Sequence, residues 1–240
     1  MKFLQIDELW AGGPQFVQRE PVFKLGTDAV LLAHFTNTAR VKRAVDLGCG
    51  TGVLPVLLAE RSSEVQVDCI DILPEAVALT EENANRNGLG ARIRPQLGDI
   101  RQVRHILPAG AYDLVVSNPP YFPKGSGRRA KGEARADARD EALCTLHDLC
   151  SAGAYLLRWG GRFALVHRPE RLRDVFFAMG DHGIEPKRLR MVAPSPEAAP
   201  NLILVEGRRG GNPGLVVEPP LLLQDAEGND SPEVQMMYGG

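Results

Sequence analysis

The chain contains, at positions 44–52, the stretch Ala44-Val45-Asp46-Leu47-Gly48-Cys49-Gly50-Thr51-Gly52. Its first residues are mainly apolar, three glycines follow at alternate positions, and a second apolar run begins at Val53. Glycine allows positive φ angles and a close approach between backbone and ligand, and the first turn of a helix has free N–H groups. The stretch therefore predicts a strand, a ligand-binding turn and a helix. The alternative is a turn that caps the helix and binds nothing.

The region around this stretch alternates short apolar runs with amphipathic ones. Strands are predicted at 44–48, 65–70, 92–97, 113–117, 162–167, 188–193 and 201–207, and helices at 52–61, 74–87, 142–158 and 169–181. Continuous apolar strands that alternate with helices indicate a parallel sheet covered on both faces. No helix is predicted between the last two strands, which favours an antiparallel hairpin. We therefore predict an α/β fold with a doubly wound, mostly parallel, seven-stranded Rossmann-like sheet and an antiparallel edge strand.

Length and composition favour one substantial domain with two appendages. The chain has 240 residues, of which 44% are hydrophobic, so it can bury a full core. We expect an N-terminal extension at 1–40 that helps to cover the site, a cofactor-binding catalytic domain at 41–209, and a C-terminal tail at 210–240 packed on that domain.

The charge and the cysteines narrow the possible partners. A net charge of −2 gives no global signal for a polyanion, so a nucleic-acid surface must be a local patch. No apolar run approaches a membrane span and no signal peptide is visible, so we expect a cytoplasmic protein with no membrane partner. The four cysteines have no metal-ligand spacing, and we expect reduced thiols and no metal.

The order of glycines and acids indicates which cofactor binds. The glycines follow the pattern G-x-G-x-G, whereas G-x-G-x-x-G is the pattern that fits a pyrophosphate. Asp46 precedes them, and a carboxylate there suits a cationic ligand. Asp71 closes the next predicted strand, where it can accept both hydroxyls of a ribose, and Gly98 and Asp99 end the third. S-adenosylmethionine fits, since it carries a sulfonium, an ammonium, a ribose and an adenine but no phosphate. The predicted cofactor-binding residues are Asp46, Gly48, Cys49, Gly50, Thr51, Gly52, Asp71, Ile72, Gly98, Asp99, Ile100 and Asn118.

A second motif, Asn118-Pro119-Pro120-Tyr121, follows the apolar run 114–116. A planar amine is a poor nucleophile because its lone pair is delocalised. The side-chain carbonyl of Asn118 and the backbone carbonyl of Pro119 can accept both amine hydrogens and aim the lone pair at an electrophile. Proline has no N–H to compete, and the ring of Tyr121 can stack on a flat group. These four residues are the predicted catalytic set, and the alternative is an ordinary proline turn that ends a strand.

A basic loop at 122–141 comes directly after this motif. We expect its cations to meet RNA phosphates around the pocket, and an unpaired base is easily splayed into such a pocket. The predicted substrate-binding residues are Phe23, Tyr121, Phe122, Lys124, Arg128, Arg129 and Lys131. Later cations extend this surface if they lie on the same edge, namely Arg168, Arg171, Arg173, Lys187, Arg188, Arg190, Arg208 and Arg209. The alternative is a solvated surface that binds no RNA.

The motifs together resemble the class I S-adenosylmethionine-dependent methyltransferases, in particular the branch that modifies the N6 of adenine or an amide nitrogen. In that family the glycine motif and the acid of the second strand hold the cofactor, the acid of the third strand lies by its adenine, and N-P-P-Y handles the target nitrogen. The resemblance assigns these roles to Asp46, Gly48, Gly50, Asp71, Asp99, Asn118 and Tyr121.

Nearly the whole chain is similar to the bacterial tRNA (adenine-N6)-methyltransferases that modify the adenine beside the anticodon of a valine tRNA. The similar stretches are 23–32, 118–122, 142–146, 163–172 and 186–190, whereas the acidic tail after Glu218 departs from many relatives. The resemblance implies an anticodon stem-loop as partner and N6-adenine methylation as activity.

Two other functions remain open at this stage. A protein glutamine N5-methyltransferase uses the same N-P-P-Y motif, but such enzymes usually have a helical N-terminal domain, and only about 40 residues precede Asp46. A non-catalytic RNA-binding module is the second alternative, and the intact Asn118 and glycine turn argue against it. The oligomeric state, the tRNA and any required earlier modification are not encoded in a recognisable pattern.

Overall fold

A computed structural model describes residues 4–19, 26–120 and 144–239. The strands within these ranges are β1 (Leu4–Glu8), β2 (Gln15–Arg19), β3 (Arg43–Leu47), β4 (Gln66–Asp71), β5 (Ile93–Leu97), β6 (Tyr112–Ser117), β7 (Leu157–His167), β8 (Ile184–Ala193), β9 (Leu202–Arg209), β10 (Val216–Val217) and β11 (Leu221–Leu222). The helices are α1 (Thr27–Phe35), α2 (Val53–Glu60), α3 (Pro74–Arg86), α4 (Leu146–Leu156), α5 (Leu172–Asp181) and α6 (Pro232–Met237). None of these helices is long and apolar enough to cross a bilayer.

One large sheet runs through the described structure in the order β5-β4-β3-β6-β7-β9-β8-β10, and β11 also pairs with β8. The neighbouring strands from β5 to β7 are parallel, and β9 is antiparallel to both β7 and β8. The chain winds outward in one direction from β3 to β5 and in the other from β6 onward. Such a reversal opens a crevice at the carboxyl ends of β3 and β6, which is where ligands bind in open α/β sheets.

The structure confirms the predicted α/β class and the mostly parallel sheet, and it differs in three details. The described sheet has nine strands, because the short β10 and β11 add to the seven predicted. The antiparallel strand, β9, lies inside the sheet between β7 and β8. The helix predicted from residue 142 begins at Leu146, because Thr145 and Asp148 form a capping box that fixes its first turn.

The two faces of the sheet bury separate apolar clusters. Alternate residues of a strand point to opposite faces. Ala44 and Leu114 therefore pack under α1, α2 and α3 with their cluster, whereas Val45, Val115 and Leu165 pack under α4 and α5. Both faces are covered, as the continuous apolar strands predict.

The N-terminal residues form a hairpin that the sequence analysis did not predict. β1 and β2 pair in antiparallel register, with Ile6 opposite Val17. Phe16 and Val17 are fully buried. The strands have only five residues each, and in β2 the apolar Phe16 and Val17 are adjacent, so the alternation typical of a strand is too short to recognise.

The segment after residue 210 contributes to the large sheet and to its core. β10 and β11 pair in parallel with β8, and Leu221 is 1% exposed within the cluster under α1. Met237 of α6 joins the same cluster. Arg190 of β8 donates to both carboxylate oxygens of Glu233, at 2.5 and 2.7 Å, which fixes α6 against the sheet.

Leu221→Ala should lower the free energy of unfolding by about 3 kcal/mol, since it removes buried methyl groups and leaves a cavity. Val217→Ala is the matched control in the same segment, because Val217 is 62% exposed, and it should change stability by less than about 0.5 kcal/mol. Urea unfolding of both variants provides the comparison. Equal small losses would contradict the assignment of this segment to the core.

Candidate active site

The motif residues meet at the carboxyl edge of the sheet. Leu47 pairs with Ile70, Asp71 with Leu97, and Ser117 with Leu165, so the residues that follow these strands share one edge. The glycine turn, Asp71, Asp99 and Asn118 are thereby brought together from four separate regions of the sequence.

The glycine turn after β3 uses backbone angles that other residues rarely adopt. Gly48, Gly50 and Gly52 have φ angles of 83°, 53° and 79°. A Cβ atom on Gly52 would also lie 3.0 Å from the Cα of Thr80 on α3. The alternate glycines are therefore required by positive φ, and at Gly52 also by the close approach of α3.

Hydrogen bonds hold the turn against its neighbours. The N–H of Gly48 donates to the carbonyl of Ile70 at 2.8 Å, and the N–H of Gly52 donates to the carbonyl of Cys49 at 2.8 Å. The hydroxyl of Thr80 donates to the carbonyl of Gly50 at 3.2 Å. The turn is thus fixed by β4 on one side and by α3 on the other.

Asp71 is held at the end of β4 by backbone donors. Its Oδ2 accepts the N–H of Gly50 at 2.9 Å, and its Oδ1 accepts the N–H of Leu73 at 3.0 Å. Burial raises the pKa of this carboxyl, and the backbone N–H donors oppose that rise. Each carboxylate oxygen has a second lone pair, so the pair of oxygens can also accept two vicinal hydroxyls.

Asp46 lies behind the glycine turn and is 1% exposed. Burial, and then the nearby Asp71, raise its pKa well above the ordinary carboxyl value. Its Oδ1 is buried and has no hydrogen-bond partner. A buried acceptor of this kind is satisfied by a ligand that brings a donor or a positive charge, so the residues present fit a cationic cofactor.

The end of β5 supplies a third acid and a close-packed glycine. Arg101 donates to Asp99 at 2.5 Å and holds the pKa of that carboxyl below its usual value. A Cβ atom on Gly98 would lie 2.4 Å from the Cδ1 of Ile106, so a larger residue there would displace the end of that side chain.

Apolar surface lies beside Asp71. Ile72 and Leu73 are each 43% exposed, a large fraction for such side chains, whereas Ile100 is partly buried against the core. Exposed apolar groups next to a carboxylate that can accept two hydroxyls suit a flat ring attached to a ribose. The sequence analysis named Ile72 and Ile100 but missed Leu73.

Asn118 and Pro119 begin directly after β6 and are partly buried, whereas Pro120 is exposed. Ser117 donates from its hydroxyl to the carbonyl of Leu47 at 2.6 Å, which ties the end of β6 to the start of the glycine turn. Asn118 is thus placed next to the turn by a side chain that the sequence analysis missed. The described residues contain no group of three or more His, Cys, Asp or Glu that could hold a metal.

Several predicted residues lie outside the described ranges. These are Phe23, Tyr121, Phe122, Lys124, Arg128, Arg129 and Lys131. Their predicted roles in binding a substrate base and its phosphates remain predictions.

The later cations do not form one surface at this edge. Arg208 pairs with Arg162 and Arg209 with Ile184 in the strand register, which places both near the amino end of β7, at the far side of the sheet. Arg188 forms ion pairs with Glu206 and Glu218. Arg208 and Arg209 therefore lie away from the site edge, because β9 is antiparallel, so the conditional extension of the RNA surface does not include them. For the other cations it stays a prediction.

His167 ends β7 at the site edge and is 2% exposed. Burial lowers its pKa to about 4, with further lowering by Arg171 and Arg168. The backbone N–H of Arg168 donates to its Nδ1 at 2.8 Å, so the imidazole is neutral near pH 7 and the proton is on Nε2.

The strand order, the glycine turn and the acids at the ends of β4 and β5 define a class I methyltransferase. Solved structures share this fold. A crystal structure described as a predicted O-methyltransferase from Agrobacterium tumefaciens matches with a TM-score of 0.73 at 21% identity, over 88% of this chain and 95% of that chain. Geranyl diphosphate methyltransferase in complex with S-adenosylmethionine matches with a TM-score of 0.56 at 16% identity, over 75% and 85%.

Sequence comparisons identify the family to which the chain belongs within this class. The methyltransferase small domain family matches residues 23–172. A tRNA1(Val) (adenine(37)-N6)-methyltransferase of Tolumonas auensis is 34% identical over 211 residues, which are 88% of this chain and 86% of that protein. The protein of the same name in Parabacteroides distasonis is 33% identical over 186 residues, 76% of each chain. The chain belongs to the methyltransferase small domain family and, within it, to the family of the tRNA1(Val) (adenine(37)-N6)-methyltransferases. The predicted class, and S-adenosylmethionine as its cofactor, are confirmed.

Asp46 should make the stability of the cofactor-free protein depend on pH. Its pKa is raised on folding, so above the ordinary carboxyl pKa the unfolded chain releases a proton that the folded protein retains. The free energy of unfolding should then fall as pH rises above about 4, by at most about 1.4 kcal/mol per pH unit from this group. Asp46→Asn removes the titrating carboxyl, so the free energy of unfolding, measured with urea, should depend less on pH than in the wild type. The contribution of Asp71 remains in both proteins. If the free energy of unfolding changed with pH equally in both proteins, a raised pKa at Asp46 would be contradicted.

Proposed function

We propose that the protein transfers a methyl group from S-adenosylmethionine to the N6 amine of an adenine in tRNA, at position 37 beside the anticodon of a valine tRNA. The observation that carries this proposal is the position of Asn118-Pro119 at the end of β6, next to the glycine turn that follows β3. The names of the relatives in Tolumonas auensis and Parabacteroides distasonis support the choice of substrate. A tRNA substrate places the reaction in the cytoplasm.

The cofactor roles follow from the geometry of each residue. Asp71 accepts the ribose hydroxyls, with its carboxylate oriented by the N–H groups of Gly50 and Leu73. Ile72 and Leu73 would contact the adenine of the cofactor, and Asp99 and Ile100, which follow β5, would bind near the same ring. Gly48, Cys49, Gly50, Thr51 and Gly52 would let the backbone approach the cofactor closely, and Asp46 would interact with its cationic end.

The chemistry depends on the orientation of one nitrogen. S-adenosylmethionine supplies an electrophilic methyl group. The side-chain carbonyl of Asn118 and the backbone carbonyl of Pro119 accept the two N6 hydrogens, which draws the nitrogen out of conjugation and aims its lone pair at that methyl. Asn118 at the same time lies against the cofactor side of the pocket. The alkylated nitrogen is acidic and releases its extra proton to water, so no strong base is needed.

The remaining predicted residues bind the substrate. Tyr121, Phe23 and Phe122 stack on or enclose the extruded adenine, and Pro120 keeps the chain extended at the rim. Lys124, Arg128, Arg129 and Lys131 contact phosphates of the anticodon stem-loop. An amide substrate would be handled by the same Asn118 and Pro119, which keeps protein glutamine methylation as the second candidate.

Incubation with S-adenosylmethionine and unmodified bacterial tRNA should produce N6-methyladenosine, detected by nucleoside mass spectrometry. Asn118→Ala should reduce this transfer by about 10³-fold or more, because both orientation and lone-pair localisation are lost. Calorimetry should show that the variant retains cofactor binding. Asn37→Ala is the matched control, since Asn37 lies between α1 and β3 at the opposite edge, and it should keep wild-type activity. Methyl label found only in protein would overturn the RNA substrate.

Arg128→Ala combined with Arg129→Ala should weaken tRNA binding and reduce the slope of log Kd against log salt concentration by about 2, which corresponds to two lost phosphate contacts. Lys187→Ala combined with Arg208→Ala removes the same charge, but from the edge of the sheet opposite the proposed site. This control should leave both the affinity and the slope unchanged. Equal effects of the two double variants would argue against the loop as the phosphate-binding surface.

A further inference from the structure

One buried amide lies between the glycine turn and the N-terminal hairpin. Asn83 of α3 is fully buried. Its Nδ2 donates to the carbonyl of Thr51 at 2.8 Å and to the carbonyl of Val17 at 3.4 Å, and its Oδ1 accepts the N–H of Val17 at 2.7 Å. A single side chain therefore contacts both the proposed cofactor turn and β2.

The contact with Thr51 fixes the conformation of the turn. The carbonyl of Thr51 and the N–H of Gly52 belong to one planar trans peptide and point in opposite directions. Asn83 holds the carbonyl, and the N–H of Gly52 donates to Cys49 at 2.8 Å, so this peptide is held at both ends. Thr80 holds the preceding carbonyl, that of Gly50, which turns the N–H of Thr51 away from α3.

The contact with Val17 is half of a small ladder between α3 and β2. Asn87, four residues after Asn83, accepts the N–H of Gln15 at 2.9 Å and donates to the carbonyl of Gln15 at 2.8 Å. Four residues of a helix advance about 6 Å and two residues of a strand about 6.8 Å, so the two amides match alternate residues of β2. The side-chain amides of Asn83 and Asn87 thus form hydrogen bonds with the backbone of β2, in place of those that a neighbouring strand would form.

The two asparagines differ in one respect. Asn87 bonds to β2 and to the carbonyl of Asn83, whereas Asn83 bonds to β2 and to the glycine turn. Asn83 is therefore the one of these two amides that contacts both the hairpin and the glycine turn.

We infer that Asn83 is a positioning residue that couples cofactor binding to docking of the N-terminal hairpin. A cofactor that binds the turn in the conformation described above stabilises the orientation in which Asn83 also holds Val17. A docked hairpin in turn preorganises the turn for the cofactor. Coupling of this kind is reciprocal by thermodynamic necessity. The inference rests on the proposed function in one respect, namely that the glycine turn binds S-adenosylmethionine.

Asn83→Asp provides the direct test, because it keeps the acceptor for the N–H of Val17 and replaces the donor to Thr51 with an oxygen. It should raise the Kd for S-adenosylmethionine, measured by calorimetry, by about tenfold or more. Asn87→Asp also loses its donor to β2 but does not touch the turn, and its Kd should stay within about threefold of wild type. At saturating cofactor, Asn83→Asp should recover most of the wild-type kcat, since Asn83 does not contact the reacting atoms.

Hydrogen exchange separates coupling from a general loss of stability. In the wild type, cofactor binding should slow exchange of the Val17 amide by about tenfold or more, and this response should be absent in Asn83→Asp. An unchanged exchange rate in the wild type, or a folded Asn83→Asp variant with wild-type cofactor affinity, would overturn the inference.

If Asn83→Asp does not fold, two other variants test the coupling between the hairpin and cofactor binding. Val17→Pro removes the N–H that donates to Asn83 and leaves the glycine turn intact, whereas Gln15→Pro removes the corresponding N–H opposite Asn87. Val17→Pro should weaken cofactor binding more than Gln15→Pro, and the reverse order would overturn the coupling. A wild-type protein that binds no S-adenosylmethionine would instead overturn the proposed function, which makes the two failures distinguishable.

Discussion

The glycine turn places backbone carbonyl groups inside the protein where no neighbouring strand can pair with them. A buried carbonyl without a partner costs free energy comparable to a lost hydrogen bond, so the turn depends on partners from elsewhere in the chain. Thr80 and Asn83 of α3 supply them for Gly50 and Thr51. The position of α3 over the turn is therefore a condition for the site as well as for the core. Gly52 and Thr80 also lie so close together that a side chain at position 52 would meet the backbone of α3, so the choice of glycine there depends on the position of α3 as well.

The carboxyl groups of Asp71 and Asp46 are both buried near this turn, but their surroundings differ. Asp71 has backbone N–H donors on both oxygens, which offset part of the cost of burial. Asp46 has an oxygen without a hydrogen-bond partner, and burial, followed by the nearby Asp71, raises its pKa well above the ordinary carboxyl value. Asp46 thus keeps its proton to a higher pH than an ordinary carboxyl, and a cationic ligand next to it would favour the ionised form.

Much of this arrangement was predictable because it depends on local patterns. The glycine spacing predicted the positive φ angles, and the apolar runs predicted strands whose ends bring Asp71, Asp99 and Asn118 to one edge. Thr80 and Asn83 were not recognised, although two polar residues three positions apart on the inner face of an amphipathic helix are a usable signal. The hairpin was missed because its docking depends on amide contacts with Asn83 and Asn87, which no periodicity reveals. The sequence left open on which edge Arg208 and Arg209 of β9 lie, because strand direction and register set their location, and these follow from tertiary pairing.

The pairing of β10 and β11 with β8 has a consequence for how the chain is made. β8 follows β7 in the chain but leaves one edge without a neighbour until residues beyond 215 are available to pair with it. An uncovered edge strand is a template for association with other chains. During synthesis on the ribosome, the sheet therefore passes through a stage in which the edge formed by β8 is open, and the emergence of the last two short strands ends that stage.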